Sequence, residues 1–266
     1  MLKSIYKWLI LLIILSSCSN ESKDKKIDHS VNDSSARVNE LADTLVIDKY
    51  VKEIKSKTPE LTYKRSLQYI LGDYTFDVSV YFKDGKQVVY VEDGHRSEQD
   101  YRRLNVFLKD EKPIYAELAE KITMGSNNEF REAKVYFNQK LEILKALERK
   151  TSKENKIQDI PFVPFKPDTT GYSAKTNFFR RAVDCTGEFD LPFEKIEKKD
   201  NKEYLILGKD DPNTYHVKLL IEKSDSTIKK LKSSPIAFKG KKIDLEWEYK
   251  NSKGYEQLVY KSGKIL

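Results

Sequence analysis

Over residues 38–57 the apolar side chains Val38, Leu41 and Leu45, then Ile47, Tyr50, Val51 and Ile54, recur at intervals of three and four. That period predicts an amphipathic helix, and Pro59 bounds it. From residue 78 the period changes to two. Val78, Val80 and Phe82 fall on one side of a strand, and Ser79 and Tyr81 on the other. Asp84–Gly85 then turns the chain into Val88–Val89–Tyr90. This dipeptide supplies the positive φ angles of a type I′ hairpin. The unit is echoed from Val106–Phe107–Leu108 to Ile114–Tyr115, and again from Val135–Tyr136–Phe137 to Ile143–Leu144. Corresponding positions Phe82, Leu108 and Phe137 are 26 and 29 residues apart. Three strand–turn–strand units predict a six-stranded antiparallel meander. One face would be apolar and the other wet, with the helix at 38–57 covering the apolar face.

The pattern breaks at 149–177, where charged residues lead into Pro161, Pro164 and Pro167. Prolines stiffen and extend a chain, so this stretch is expected to link two domains. Beyond it, Glu203–Tyr204–Leu205–Ile206–Leu207 and Tyr215–His216–Val217–Lys218–Leu219–Leu220–Ile221 are strand-like, joined by a turn at Asp210–Asp211–Pro212–Asn213. Ile243, Leu245, Trp247 and Tyr249 alternate with Asp244, Glu246 and Glu248, as in a half-buried strand. Several short strands over 178–266 suggest a small β-barrel-like domain, whose closure would remove exposed edges. The expected fold class is mainly β within α+β: a helix on a meander over 38–148, then the linker, then the barrel.

The N-terminus is of another kind. Lys3 and Lys7 precede the apolar run Trp8–Leu9–Ile10–Leu11–Leu12–Ile13–Ile14–Leu15. The run is far shorter than the roughly 20 residues a spanning helix needs, and its length suits a secretory signal. Leu15–Ser16–Ser17–Cys18 follows, and then a polar stretch. The segment resembles a bacterial lipoprotein signal, with these four residues as its lipobox, of the kind borne by envelope lipoproteins of the Bacteroidota type. The resemblance implies cleavage of residues 1–17. It also implies diacylglycerol on the Cys18 thiol and an acyl chain, such as palmitate, on its amine. Several chains anchor far better than one. Ser19, in place of an Asp, points to the outer membrane, on its periplasmic or surface face. Residues 18–37 would then be a disordered tether, being polar with no apolar period.

Charge and cysteine content narrow the picture. The formal net charge is +7, but 42 acids are interspersed with 49 bases. This reads as a solvated surface, so no nucleic-acid partner is expected. Of the two cysteines, lipidation of Cys18 would leave Cys185 unpaired, as a small apolar side chain. The sequence shows no phosphate loop, no His-Glu-x-x-His and no Gly-x-Ser-x-Gly, so no catalytic residue is assigned. The histidines are His29, His95 and His216. Asp93 with His95 is the nearest approach to a metal pair, but a metal site wants several ligands. No metal or cofactor is expected beyond the lipid on Cys18. Tyr81, Tyr90, Tyr115 and Tyr136 recur on the meander strands. Their half-polar rings suit a partner-binding surface, or else cross-strand packing. Asp43–Thr44–Leu45, Asp168–Thr169–Thr170 and Asp225–Ser226–Thr227 resemble a periplasmic O-glycosylation motif of the Bacteroidota.

These features point to a membrane-anchored, non-enzymatic binding or scaffold module with an envelope protein or glycan as partner. The alternatives are an inhibitor or immunity-type lipoprotein that blocks an envelope hydrolase, and a hydrolase whose site is assembled from scattered residues.

Overall fold

The computed structural model describes residues 30–97, 99–125, 127–167, 170–209, 211–252 and 255–266. The lipobox and its preceding run lie outside them. The chain divides after Asn39, and both hydrophobic cores belong to the unit Glu40–Leu266. Helix α1 (Ser30–Lys57) begins earlier than the apolar stripe. Residues 30–37, expected within the tether, are therefore helical. Propagating a formed helix costs much less than nucleating one, so a helix can outrun its packed face.

Six strands follow the expected meander: β3 (Tyr74–Lys83), β4 (Lys86–His95), β5 (Tyr101–Lys109), β6 (Lys112–Met124), β7 (Asn127–Phe137) and β8 (Ile143–Thr151). All neighbours are antiparallel. Both Asp84 and Gly85 adopt positive φ (52° and 74°), the geometry that makes Asp-Gly the hairpin dipeptide. The second turn reaches it without glycine, through Asp110 and Glu111.

Both faces of this meander are covered, which corrects the expectation of one wet face. Val78 and Val80 lie in the larger core, beneath α2 (Thr170–Asp184). Helix α1 covers the opposite face, with Ile47, Val51 and Ile54 packed on Val89, Val91, Phe107, Tyr115 and Tyr136. The buried stripe of α1 is Thr44, Ile47, Val51 and Ile54; Leu45, assigned to it from the sequence, is 61% exposed. Polar contacts fix the docking. The Tyr50 hydroxyl donates to the Leu108 carbonyl at 2.7 Å, and Lys83 reaches Glu53 at 2.7 Å.

The C-terminal residues do not close into a barrel. β10 (Phe193–Lys199), β11 (Lys202–Leu207) and β12 (His216–Ile221) form an antiparallel ribbon. It joins the meander through β2 (Tyr69–Leu71), with His216 opposite Ile70 and Val217 opposite Tyr69. β2 pairs with β3 in turn. β14 (Tyr255–Ile265) runs parallel to β12 and carries β13 (Ile243–Ser252). β1 (Thr62–Arg65) pairs with the remaining length of β3. One 14-stranded sheet results. The reason lies in burial: Leu205, Leu207, Val217 and Leu219 share one core with Val78, Leu104 and Leu118. The ribbon loses its inner edge by extending the meander, so closure is not needed.

The stretch 149–177 is also not a plain connector. It contains the end of β8, a 3₁₀ turn at Glu154–Asp159, the short β9 (Val163–Pro164) paired with β8, and the first turns of α2. Phe179, Ala182 and Val183 of α2 are buried, at the three-and-four spacing of a core-facing helix. Among the described residues no helix is long and apolar enough to cross a membrane.

Ile54 is fully buried and Leu45 mostly exposed on one helix. Ile54→Ala should therefore cost about 3 kcal/mol, and Leu45→Ala less than about 0.5 kcal/mol. Urea midpoints at constant slope would check this. Equal losses would refute the assigned packing face of α1.

Candidate ligand groove

The core face of the meander is best read in rows that run across the strands. Val80, Tyr90, Val106, Ala116, Val135 and Ala146 stand opposite one another in register and form an entirely apolar row. Two residues along, the row reads Val78, Glu92, Leu104, Leu118, Ala133, Glu148. Two further, it reads Phe76, Gly94, Arg102, Glu120, Arg131, Lys150. The same face thus passes, over β5 to β8, from apolar to charged within three rows.

The charges alternate in sign from Arg102 through Glu120 to Arg131, with Lys150 a second cation beyond; opposite charges facing one another stabilise a strand pair. Arg102 Nη1 donates to Glu120 Oε2 at 2.8 Å, and Arg131 Nη1 to Glu120 Oε1 at 3.1 Å. Arg131 Nε donates to Glu148 Oε2 at 3.0 Å, and Lys150 lies 3.2 Å from the other oxygen. Glu92 and Glu120 are buried. Burial works against the Arg102 charge, but Glu92 and Glu120 outweigh it and raise the guanidinium pKa above its ordinary value.

Glu92 is the most enclosed member, at 2% exposure. The Tyr74 hydroxyl donates to its Oε1 at 2.7 Å, and Lys175 of α2 lies 3.5 Å from Oε2. Among the described residues Oε2 has no hydrogen-bond donor. Burial first, and then Glu92, push the Tyr74 phenol pKa up, so it stays a donor. Gly94 permits this arrangement, because a Cβ there would overlap the Tyr74 hydroxyl.

Two adjoining hollows open on this end of the face. The larger, about 550 Å³, has a floor of Leu104, Leu118 and Phe165. Its walls carry five cations, Arg102, Arg131, Lys150, Lys166 and Lys175, against the single carboxylate of Glu148. The Arg131 guanidinium sits 5.4 Å from the centre of the Phe165 ring. Lys166 is exposed at this hollow and has no ion-pair partner among the described residues. The smaller hollow, about 250 Å³, shares Arg102 and Lys175 and adds Tyr74, Glu92, His95 and Arg96. Cations over an apolar floor can hold an anionic head beside a short apolar body.

None of the residues singled out from the sequence, apart from His95, lines these hollows. Tyr90 is buried against Phe179, while Tyr115 and Tyr136 lie under α1, with the Tyr136 hydroxyl donating to Asp48 at 2.9 Å. Tyr81 is half-buried and stacks on Tyr63 at 5.5 Å. Cross-strand and helix packing thus account for all four, and they form no exposed patch. Asp93 pairs with Arg103 at 3.5 Å. Among the described residues no group of three or more His, Cys, Asp or Glu could hold a metal ion. Cys185 ends α2 with φ +52°, within 3.6 Å of the Tyr69 hydroxyl, and burial raises its thiol pKa. Asp211 shapes its turn by accepting from the Asn213 amide. Of the glycosylation-like motifs, Thr44 and Thr227 are buried, Asp225 caps a helix, and Asp168 and Thr169 lie outside the described residues. Cys18 lies outside them too.

Apolar alternation within single strands does not reveal the charged row. Its signal is present in the chain. Leu108, Val106 and Leu104 lead to Arg102, Ala116 and Leu118 to Glu120, and Val135 and Ala133 to Arg131. A charge that continues an apolar alternation, with signs opposed on neighbouring strands, marks such a row.

No protein-family model, no curated protein and no solved structure matches this chain. The chemistry of the groove is therefore the guide to what it does.

Glu120 serves two guanidinium groups. Glu120→Ala should lower stability by about 3 kcal/mol, because both guanidinium groups lose the carboxylate they share. Lys156→Ala, which removes an exposed pair with Asp159, should cost less than about 0.5 kcal/mol. Equal urea midpoints for the two variants would show that the row is an ordinary surface network.

Proposed function

We propose that this chain is a lipid-anchored envelope protein whose folded unit is a non-enzymatic binding module. The groove between the meander and α2 would take an anionic amphiphile. Its carboxylate, sulfate or phosphate head would meet Lys166, Lys175 and Arg102. Its apolar part would lie on Leu104, Leu118 and Phe165. The observation that carries this reading is the cationic wall above an apolar floor, five cations against Glu148 in the wall and Glu92 and Glu120 behind it. The row beneath is internally paired, which fixes Arg102 and Arg131 before any ligand arrives. Preorganised donors lose little freedom on binding. Anchoring through Cys18 rests on the lipobox and on the short apolar run before it.

Decanoate is a simple probe of the groove. Calorimetry should show decanoate binding, with no binding of decanol or decyltrimethylammonium. Lys166→Glu with Lys175→Glu should weaken it at least about tenfold, the scale of one lost charge-assisted contact. Equal uptake of all three probes would overturn the charge-based reading.

The anchor is tested separately. Cells fed labelled palmitate should label the wild-type protein and leave Cys18→Ala unlabelled and absent from the membrane fraction. Retention of label in that variant would rule out lipidation at Cys18.

A further inference from the structure

A second surface stands apart from the groove. Residues 226–242 contain six lysines and no acidic residue. They build α3 (Ser226–Ser233), the single helical turn α4 (Pro235–Phe238), and the chain leading into β13. Helix α3 turns Thr227, Ile228 and Leu231 inward and leaves Lys229, Lys230 and Lys232 in water. The Asp225 side chain caps it by accepting from the Ile228 amide at 2.8 Å. Three of the lysines are spoken for: Lys232 by Glu203, Lys239 by Glu194 and Lys242 by Asp190. Lys229, Lys230 and Lys241 are exposed and have no ion-pair partner among the described residues.

Ile236 projects from the middle of this basic stretch. At 91% exposure it is the most exposed of the large hydrophobic side chains among the described residues. It is held firmly. Phe238 packs on the main core, the Gly240 amide donates to the Phe193 carbonyl, and the Phe193 amide donates to the Lys241 carbonyl, both at 2.8 Å. The turn is thus pinned to β10, and the isoleucine is presented on a rigid mount. A single exposed apolar side chain is ordinary on a protein surface. One that is held in a lysine-rich stretch, with Lys229, Lys230 and Lys241 unpaired among the described residues, matches a particular medium. Negative headgroups attract the lysines, and the acyl boundary beneath them receives the isoleucine.

We propose that residues 226–242 form a peripheral docking surface for an anionic lipid bilayer. The lysines supply long-range attraction, and Ile236 inserts at the headgroup boundary. The surface would orient the folded unit on a membrane whether or not Cys18 tethers it. The assignment stands independently of the groove, whose residues it does not include.

The test is flotation with vesicles, using the chain from Ser19 onward. That chain keeps every residue of both cores and lacks the apolar run 8–15, which would bind lipid by itself. It should bind vesicles rich in phosphatidylglycerol and leave pure phosphatidylcholine vesicles unbound, with binding lost in high salt. Lys229→Glu/Lys230→Glu/Lys241→Glu should weaken binding at least about tenfold, and Ile236→Asp by about tenfold. A matched change on α1, Lys49→Glu/Lys52→Glu, should have much less effect. In the wild-type chain, amide exchange over 234–240 should slow on the vesicles, a readout that needs no variant. Equal binding to the two lipids would overturn the proposal. So would patch variants no weaker than the α1 control, or unchanged exchange at 234–240.

Discussion

The whole sheet depends on a short splice. The meander and the C-terminal ribbon meet where β2 and β12 share two register pairs, Ile70 with His216 and Tyr69 with Val217. So few pairs could not hold two halves together by themselves. What holds them is the aromatic cluster around Tyr69. Its ring lies 4.5 Å from Phe189 and 5.8 Å from Phe76, and its hydroxyl donates to the Ala182 carbonyl of α2 at 2.8 Å. Phe178 and Tyr215 complete the set. One residue on a three-residue strand thus ties the meander, the ribbon and α2 together. Aromatic pairs add roughly 1 kcal/mol each beyond the area they bury, so such a cluster can substitute for a longer ladder. It also places α2, and hence Lys175, over the charged end of the meander.

The remaining edges are managed locally. β10 ends the sheet with Lys195, Lys198 and Lys199, and its first residue is bonded to the chain at Gly240 and Lys241. β13 carries Asp244, Glu246 and Glu248 between its apolar residues. Charged residues along an edge discourage pairing with another chain. The edge at β10 and the mount of Ile236 are one construction, since the same two backbone bonds serve both.

Much of this was legible in the chain, and the losses have physical causes. The three hairpins were readable because their period is two and their turns are marked by Asp84–Gly85 and its echoes. The helix over α1 was readable from its period, but its face was not. Leu45 and Ile47 both fit a three-and-four pattern, and only contact with Val89 and Phe107 selects Ile47. The barrel failed because strand propensity cannot tell a closed sheet from an extended one. That choice is made by Tyr69 and Val217, which are far apart in sequence. Helix α2 was hidden by the prolines before it, although Phe178, Phe179, Ala182 and Val183 carry its period. Of the site, the individual charges were visible, but their alignment was not. It exists only in the register of five strands.

That alignment is also the reason to assign the charged row a role. A buried ion pair seldom stabilises more than apolar residues of the same shape would, because desolvation offsets much of the attraction. The apolar row two steps away shows that this face can be filled with Val106, Ala116 and Val135. Apolar residues at 102, 120 and 131 would avoid that desolvation cost. The chain instead carries Arg, Glu and Arg there, and the surplus cations stand where the groove opens. Arg102 and Arg131 pair with Glu120 and remain 31% and 25% exposed, so the pairing also suits the open end of the face. The binding role proposed for the groove would use these fixed positive groups above its apolar floor.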